Sequence, residues 1–263
     1  MDERDDRQEA KEAIVIVTGA SSGLGEALTD LLDQTLPLDM TLWLIARGEE
    51  KLEAVASRLR HPVRLLALDL TNQEELDRLE ALLAAERPSI HLLINNAGQG
   101  CPGAFACQPA SSCGFLCDLN VRAQVAMTSL ALPYMEEGSG LLFTASVAAF
   151  LPQPGFAAYA ASKAFILSFG RALREELRPR GIQVTVTCPN PMLTDFFSPQ
   201  QKQALLHSYK RLGLEEPAKV AEKTLAAMRR RRGVVVTSPA GRLIRLLAKV
   251  VPTSWLLRFF PWK

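Results

Sequence analysis

Histidine is scarce in this chain. Its three residues, His61, His91 and His207, lie far apart, which argues against a histidine-built metal centre or a His-activated nucleophile. Five cysteines, Cys101, Cys107, Cys113, Cys117 and Cys188, make an odd number, and the first four are spaced too widely for the paired knuckles of a zinc site. Reduced thiols packed in the fold or its loops are expected, with no disulfide framework and no metal. No stretch approaches the roughly 18 uncharged residues of a membrane-crossing helix. The opening MDERDDRQEAKE is too charged for a secretory leader. A cytoplasmic protein is therefore expected, or one held at a cytosol-facing membrane surface. Internal repeats and low-complexity linkers are also missing, which leaves a second domain nowhere to begin. Net charge is only +2, and no nucleic-acid partner is expected.

What the chain does have is length and apolar residues for one well-filled core: 263 residues, 48% of them hydrophobic. Short β-rich runs alternate with amphipathic stretches, the pattern of βαβ units building a parallel sheet. Strands are expected at 13–18, 41–45, 63–68, 90–94, 141–145, 182–187 and 234–237. Helices are expected at 25–34, 49–60, 72–86, 121–135 and 159–178. Thr71 with Glu74 reads as a capping box for the third helix, and Pro179 with Gly181 closes the last. The expected fold is α/β: a single-domain, Rossmann-type, doubly wound parallel sheet of seven strands with helices on both faces. Residues 1–12 form a charged extension, 13–240 the domain, and 241–263 a basic amphipathic segment.

The first strand runs into Thr18-Gly19-Ala20-Ser21-Ser22-Gly23-Leu24-Gly25. Glycines at such a turn let backbone approach a pyrophosphate, whose charge is met by N–H groups at the start of the next helix. The second strand ends at Arg47, where an NAD-binding chain usually carries an acid for the ribose 2′-hydroxyl. Arginine instead suits the 2′-phosphate of NADP(H), because its planar fork pairs with phosphate through two bonds. Ser21 or Ser22 adds a hydroxyl donor. The plainer reading of Arg47 is a solvated charge ahead of a helix.

Ser146 lies thirteen residues before Tyr159-Ala-Ala-Ser-Lys163. Tyr and Lys four apart share a helix face, so an ammonium can lie beside the phenol. Lowering a tyrosine pKa from about 10 to about 7 takes roughly 4 kcal/mol. A unit charge about 4 Å away, at an effective dielectric of about 20, supplies roughly that much. Tyr159 is thus read as a general acid/base. Ser146, at the edge where ligands bind in such sheets, is placed to hold a carbonyl oxygen.

With TGASSGLG, Asp69-Leu70, the NNAG run Asn95 to Gly98, Asn120-Val121, Ser146 and YAASK in this order, the chain resembles the short-chain dehydrogenase/reductase superfamily from about Ala13 to about Thr237. The likeness is to its NADP-preferring carbonyl or ketoacyl reductases. It implies Tyr159, Lys163, Ser146 and Asn120 as the catalytic set, with Lys163 also on the nicotinamide ribose and Asn120 holding a water for proton relay. It further implies that Asp69 and Leu70 border the adenine, and that Asn96, Ala97 and Gly98 line the cofactor. Pro189 and Thr194 would shape the nicotinamide pocket. A homodimer or homotetramer built partly from the helices holding Asn120 and Tyr159 is implied as well. One departure is Asn190, where the family usually has glycine; a left-handed asparagine would keep that turn.

The tail is lopsided: ten of the 30 Lys/Arg and none of the 28 Asp/Glu lie from Lys223 onward. Leu243, Leu246, Leu247 and Val250 fall at helical spacing beside Arg242, Arg245 and Lys249, with Trp255, Phe259, Phe260 and Trp262 beyond. Such a helix either packs on its own domain or a partner subunit, or makes peripheral contact with an anionic membrane. Apolar residues in the covering segments 100–117 and 193–214, among them Phe196 and Phe197, favour a hydrophobic or acyl-chain carbonyl substrate. The expected activity is NADP(H)-dependent interconversion of a ketone and a secondary alcohol. An NAD-linked alcohol dehydrogenase and a catalytically silent nucleotide-binding scaffold are the alternatives.

Overall fold

The computed structural model describes residues 11–207 and 213–259; most of the N-terminal extension, and Phe260 and Trp262, lie outside them. Among the described residues seven strands form one parallel sheet in the order β3-β2-β1-β4-β5-β6-β7. They are β1 (Ala13–Thr18), β2 (Thr41–Ala46), β3 (Val63–Ala67), β4 (Ser89–Asn95), β5 (Gly140–Thr144), β6 (Gln183–Cys188) and β7 (Val234–Val236). Each end falls within a residue of its expected position, because a sheet covered on both faces writes itself as short continuous apolar runs. Successive residues of β1 feed opposite layers. Ile14 and Ile16 join Trp43 and Phe143, whereas Val15 and Val17 join Leu28 and Leu44.

The helices are α1 (Gly23–Thr35), α2 (Glu49–Ala56), α3 (Gln73–Glu86), α4 (Ala110–Cys117), α5 (Ala123–Ala131), α6 (Ala157–Leu177), α7 (Pro199–His207), α8 (Pro217–Arg229), α9 (Pro239–Val250) and α10 (Thr253–Phe259). Leu79 of α3, Met127 of α5 and Ile166 of α6 cover the first layer; Leu28 of α1 and Val220 of α8 cover the second. Strand order reverses between β1 and β4, so the loops leaving those strands part and open a crevice at their carboxyl ends.

Three expectations need correction. The helix expected over 49–60 stops at Ala56. The backbone N–H groups of Arg60 and His61 are drawn away to Oδ1 of Asp33, at 2.8 and 3.0 Å. The capping residue of α3 is Asn72, not Thr71: its side chain accepts from the Glu74 N–H, while Thr71 bonds Oδ1 of Asp69 through both its N–H and its hydroxyl. The helix expected over 121–135 begins earlier, as α4, and reaches α5 through a wide π turn over Asp118–Arg122. Only Leu116 of α4 is buried, so that helix carries no apolar stripe to read. Gly181 does end α6 and its short 3-10 extension, at φ 69°.

Asp33 is a buried anchor between α1 and the start of β3. Burial alone would raise its pKa, but hydrogen bonds from His61 and Arg60 outweigh that and hold it at about 2, against 3.8. Because the folded value is the lower one, the stabilisation is complete above about pH 4 and is lost as pH falls toward about 2. Asp33→Asn is expected to cost roughly 2 kcal/mol at pH 7 and nothing near pH 2. Urea unfolding at several pH values measures this; a pH-independent loss would contradict it.

Candidate active site

The turn after β1 depends on backbone that only glycine adopts easily. Gly19 and Gly23 sit at φ 66° and 61°. A Cβ on Gly25 would lie 2.0 Å from the Gly19 carbonyl oxygen, so α1 can start this close to β1 only with glycine there. The turn is tied to the end of β4. The Thr18 hydroxyl donates to the Ile94 carbonyl and accepts from the N–H groups of Asn96 and Ala97, at 2.9 to 3.1 Å, while the Asn96 side-chain amide donates to the carbonyls of Thr18 and Gly19. Ser22 precedes α1, and its hydroxyl makes no capping bond.

This turn forms one wall of a cleft of about 1200 Å³. Of the residues expected at the site, only Gly25 and Asn120 do not line it. Arg47 stands exposed at the rim, its guanidinium 5.5 Å from the centre of the Phe115 ring and without an ion-pair partner among the described residues. Asp69 and Leu70 follow β3 on the same side. The residues fit a nicotinamide dinucleotide: a glycine cradle that a Cβ would fill, free N–H groups at the start of α1, and an unpaired cation at the rim.

The opposite wall carries the hydroxyls. Ser146 starts the short helix after β5 and accepts from the Ala148 N–H at 3.1 Å, which leaves its O–H to turn toward the Tyr159 phenol. Tyr159 and Lys163 project from the first turns of α6. The Tyr159 ring stacks on Phe156 at 4.3 Å and meets Phe196 edge-on at 5.6 Å. The Lys163 ammonium lies 5.7 Å from the centre of the Tyr159 ring and donates to the Thr144 carbonyl at 2.8 Å. No carboxylate pairs with it among the described residues.

The expected lowering of the Tyr159 pKa does not hold in the protein by itself. Burial pushes the phenol up to about 12, and a hydrogen bond with Ser146 only partly offsets this. Lys163, its ammonium pushed down by burial to about 8 but still charged at neutral pH, does not reverse the balance. At neutral pH, Tyr159 is therefore a firmly protonated acid.

Asn120 sits inside the π turn, fully buried. Its amide donates to the Gln99 carbonyl and the Ser162 hydroxyl and accepts from the Gln99 N–H, so it splices the loop after β4 to α6. A Cβ on Gly98 would lie 3.0 Å from its Oδ1 and 3.3 Å from Nζ of Lys163, which puts both groups behind Gly98.

Asn190 does not adopt a left-handed backbone. Instead its N–H donates to Glu215 and its amide to the Gly213 carbonyl, both at 3.0 Å, which pins the far end of the covering segment. Its Oδ1 is buried in the cleft wall without a partner. Thr194 packs on Gly23, within 3.1 Å of where a Cβ would sit, so the cover reaches across to the glycine turn.

The structure adds residues the sequence did not mark. Thr18 braces the turn, Phe156 backs Tyr159, and the buried Cys188 lies close enough to couple electrostatically with Tyr159 and Lys163. Lys51 lines the cleft and pairs with Asp195 of the cover at 3.2 Å. Phe156, three residues before Tyr159, was the one visible from spacing.

Residues 13–205 match the model of the short chain dehydrogenase family. Among solved structures, the chain is similar to the bulky-bulky ketone specific alcohol dehydrogenase from Comamonas testosteroni, at 27% identity and TM-score 0.73 over 94% of each chain. It is similar to a short-chain dehydrogenase from Sphingobium yanoikuyae in complex with NADPH, at 27% identity and TM-score 0.73 over 95% of this chain and 96% of that one. A short chain dehydrogenase/reductase from Burkholderia phymatum in complex with NAD gives 26% identity and TM-score 0.77 over 96% and 97%.

Proposed function

The chain belongs to the short-chain dehydrogenase family, and from that premise we propose that this oxidoreductase uses NADP(H) to interconvert a ketone and a secondary alcohol on a hydrophobic or acyl-chain substrate. The observation that carries the reading is the meeting of the Ser146 and Tyr159 hydroxyls on one wall of the cleft, with Lys163 behind them and the glycine turn opposite.

The turn from Gly19 to Leu24 and the start of α1 would hold the pyrophosphate, Asp69 and Leu70 the adenine, and Lys163, Asn96, Ala97, Gly98, Pro189 and Thr194 the nicotinamide half. When bound, the cofactor supplies or accepts the hydride. The protein's own part is proton work. The Ser146 hydroxyl, beside that of Tyr159, donates a hydrogen bond to the carbonyl oxygen and fixes its place. Tyr159, held protonated by burial, gives its proton to that oxygen. The Lys163 ammonium then faces the phenolate, and Thr144 keeps it aimed there. Phe156, Phe196 and Phe197 form an apolar mouth that excludes water and favours a hydrophobic substrate.

Support for NADP(H) over NAD(H) comes from Arg47, a rim cation with no competing carboxylate. Arg47→Asp is expected to weaken NADPH binding about tenfold to a hundredfold and to improve NADH binding, since a charged hydrogen-bond partner is worth roughly 1.5–3 kcal/mol. Fluorescence titration with both reduced nucleotides reads this. Tighter NADH binding by the unaltered protein would favour an NAD-linked dehydrogenase. Nucleotide binding without NADPH consumption across a ketone and aldehyde panel would favour a silent scaffold. A homodimer or homotetramer is part of the same proposal; the exposed Phe165 of α6, stacked on Phe169, is a surface suited to it.

A further inference from the structure

α9 has two unlike sides. Ser238 caps it, accepting from the Gly241 N–H at 2.9 Å. Gly241 is pressed so closely against the domain that a Cβ would lie 2.6 Å from Val147 and 2.7 Å from Val236. The anchored side continues along the helix, where Ala240 and Ile244 line the cleft. The expected boundary after residue 240 thus falls inside the first turn of a docked helix.

The outer side is apolar and open. Leu243, Leu246 and Val250, spaced three and four apart on one stripe, are 56%, 57% and 69% exposed. With Trp255 of α10, they are four of the nine large hydrophobic residues exposed in the described structure, so the patch is a concentration and not scatter. Cations border it. Arg242 is steadied by a bond from Nε to the Val236 carbonyl, Arg245 lies 5.7 Å from the Phe150 ring, and Lys249 and Arg258 stand exposed. Among the described residues none of the four has an ion-pair partner, and the sequence offers no acid after Glu222.

We propose that α9 and α10 form a docking surface for an anionic lipid bilayer, with the apolar stripe entering the interface and the cations meeting lipid phosphates. Among the described residues nothing covers the stripe, and the inward side of α9 is already used against the domain. A second copy of the chain is disfavoured by charge: a two-fold contact brings the same patch against itself, setting cations on cations with no carboxylate between them. Among the described residues no helix is long and apolar enough to cross a membrane, so the contact lies in the plane of the surface.

The test uses the full chain and vesicles of phosphatidylglycerol with phosphatidylcholine, compared with phosphatidylcholine alone, read by co-sedimentation. Binding at least tenfold stronger to the anionic vesicles is expected, weakening in high salt. L243E/L246E should reduce it to background with an unchanged circular dichroism spectrum and unchanged NADPH binding. K249E/R258E, which leaves the stripe intact, should abolish the anionic preference. No sedimentation of the unaltered protein, or equal sedimentation of L243E/L246E, overturns the proposal. So does a dimer in equilibrium ultracentrifugation that L243E/L246E splits while vesicle binding is absent, because the stripe would then be a self-interface.

Discussion

Tyr159→Phe is expected to lower ketone turnover by about 10²- to 10⁴-fold, the range a general acid contributes, while nucleotide binding and folding stay close to normal. The ring keeps its contacts with Phe156 and Phe196, so the change deletes one hydroxyl and little else. Burial holds that hydroxyl's pKa at about 12, which keeps it protonated across the working pH range. The loss should therefore appear in kcat, with the nucleotide Kd almost unmoved. A variant that keeps near-normal turnover would remove Tyr159 from the proton path and leave Ser146 or solvent as the donor.

Lys163→Met is expected to abolish most activity and yet stabilise the protein at neutral pH. Folding moves the ammonium from water to a buried place where its pKa falls from 10.5 to about 8. At pH 7 that costs roughly 3 kcal/mol, at about 1.4 kcal/mol per pH unit. Losing the donor to the Thr144 carbonyl returns roughly 1–2 kcal/mol, so a net gain of about 1–2 kcal/mol remains. The sign has a pH signature. Below about pH 8 both states hold the proton and the cost is full. Between about 8 and 10.5 the unfolded chain keeps it and the folded chain releases it, so wild-type stability climbs toward that of the variant. The same titration should lower kcat/KM for the nucleotide above about pH 8, since that quantity follows groups of the free protein. Equal stability curves for the two proteins from pH 7 to 10 would mean that Lys163 is not the buried cation described here.

A cost of this kind explains why the pair could be found in the sequence but not its protonation. Tyr159 and Lys163 four apart must share a helix face, and that much follows from helical geometry. Whether the ammonium or the burial governs the phenol depends on Phe156, Phe196 and Cys188, which come from the approach to α6, the cover and the end of β6. The same contrast holds at Asn120. Its place between the fourth and fifth strands was readable, but its bonds to Gln99 and Ser162 exist only because a π turn rotates it inward. The helix before it escaped notice because small residues and Gly114 give α4 no periodic signal.

The amino-acid order alone specified the parallel sheet, the glycine turn and the spacing of the hydroxyl and amine groups, because each is local: apolar runs of strand length, backbone that needs no Cβ, and one turn of helix. Protonation states, the clamp of Asn190 on Gly213 and Glu215, and the opposed sides of α9 were settled only by folding. Each depends on desolvation and on contacts between segments far apart in the chain, and neither quantity exists until the chain has closed on itself.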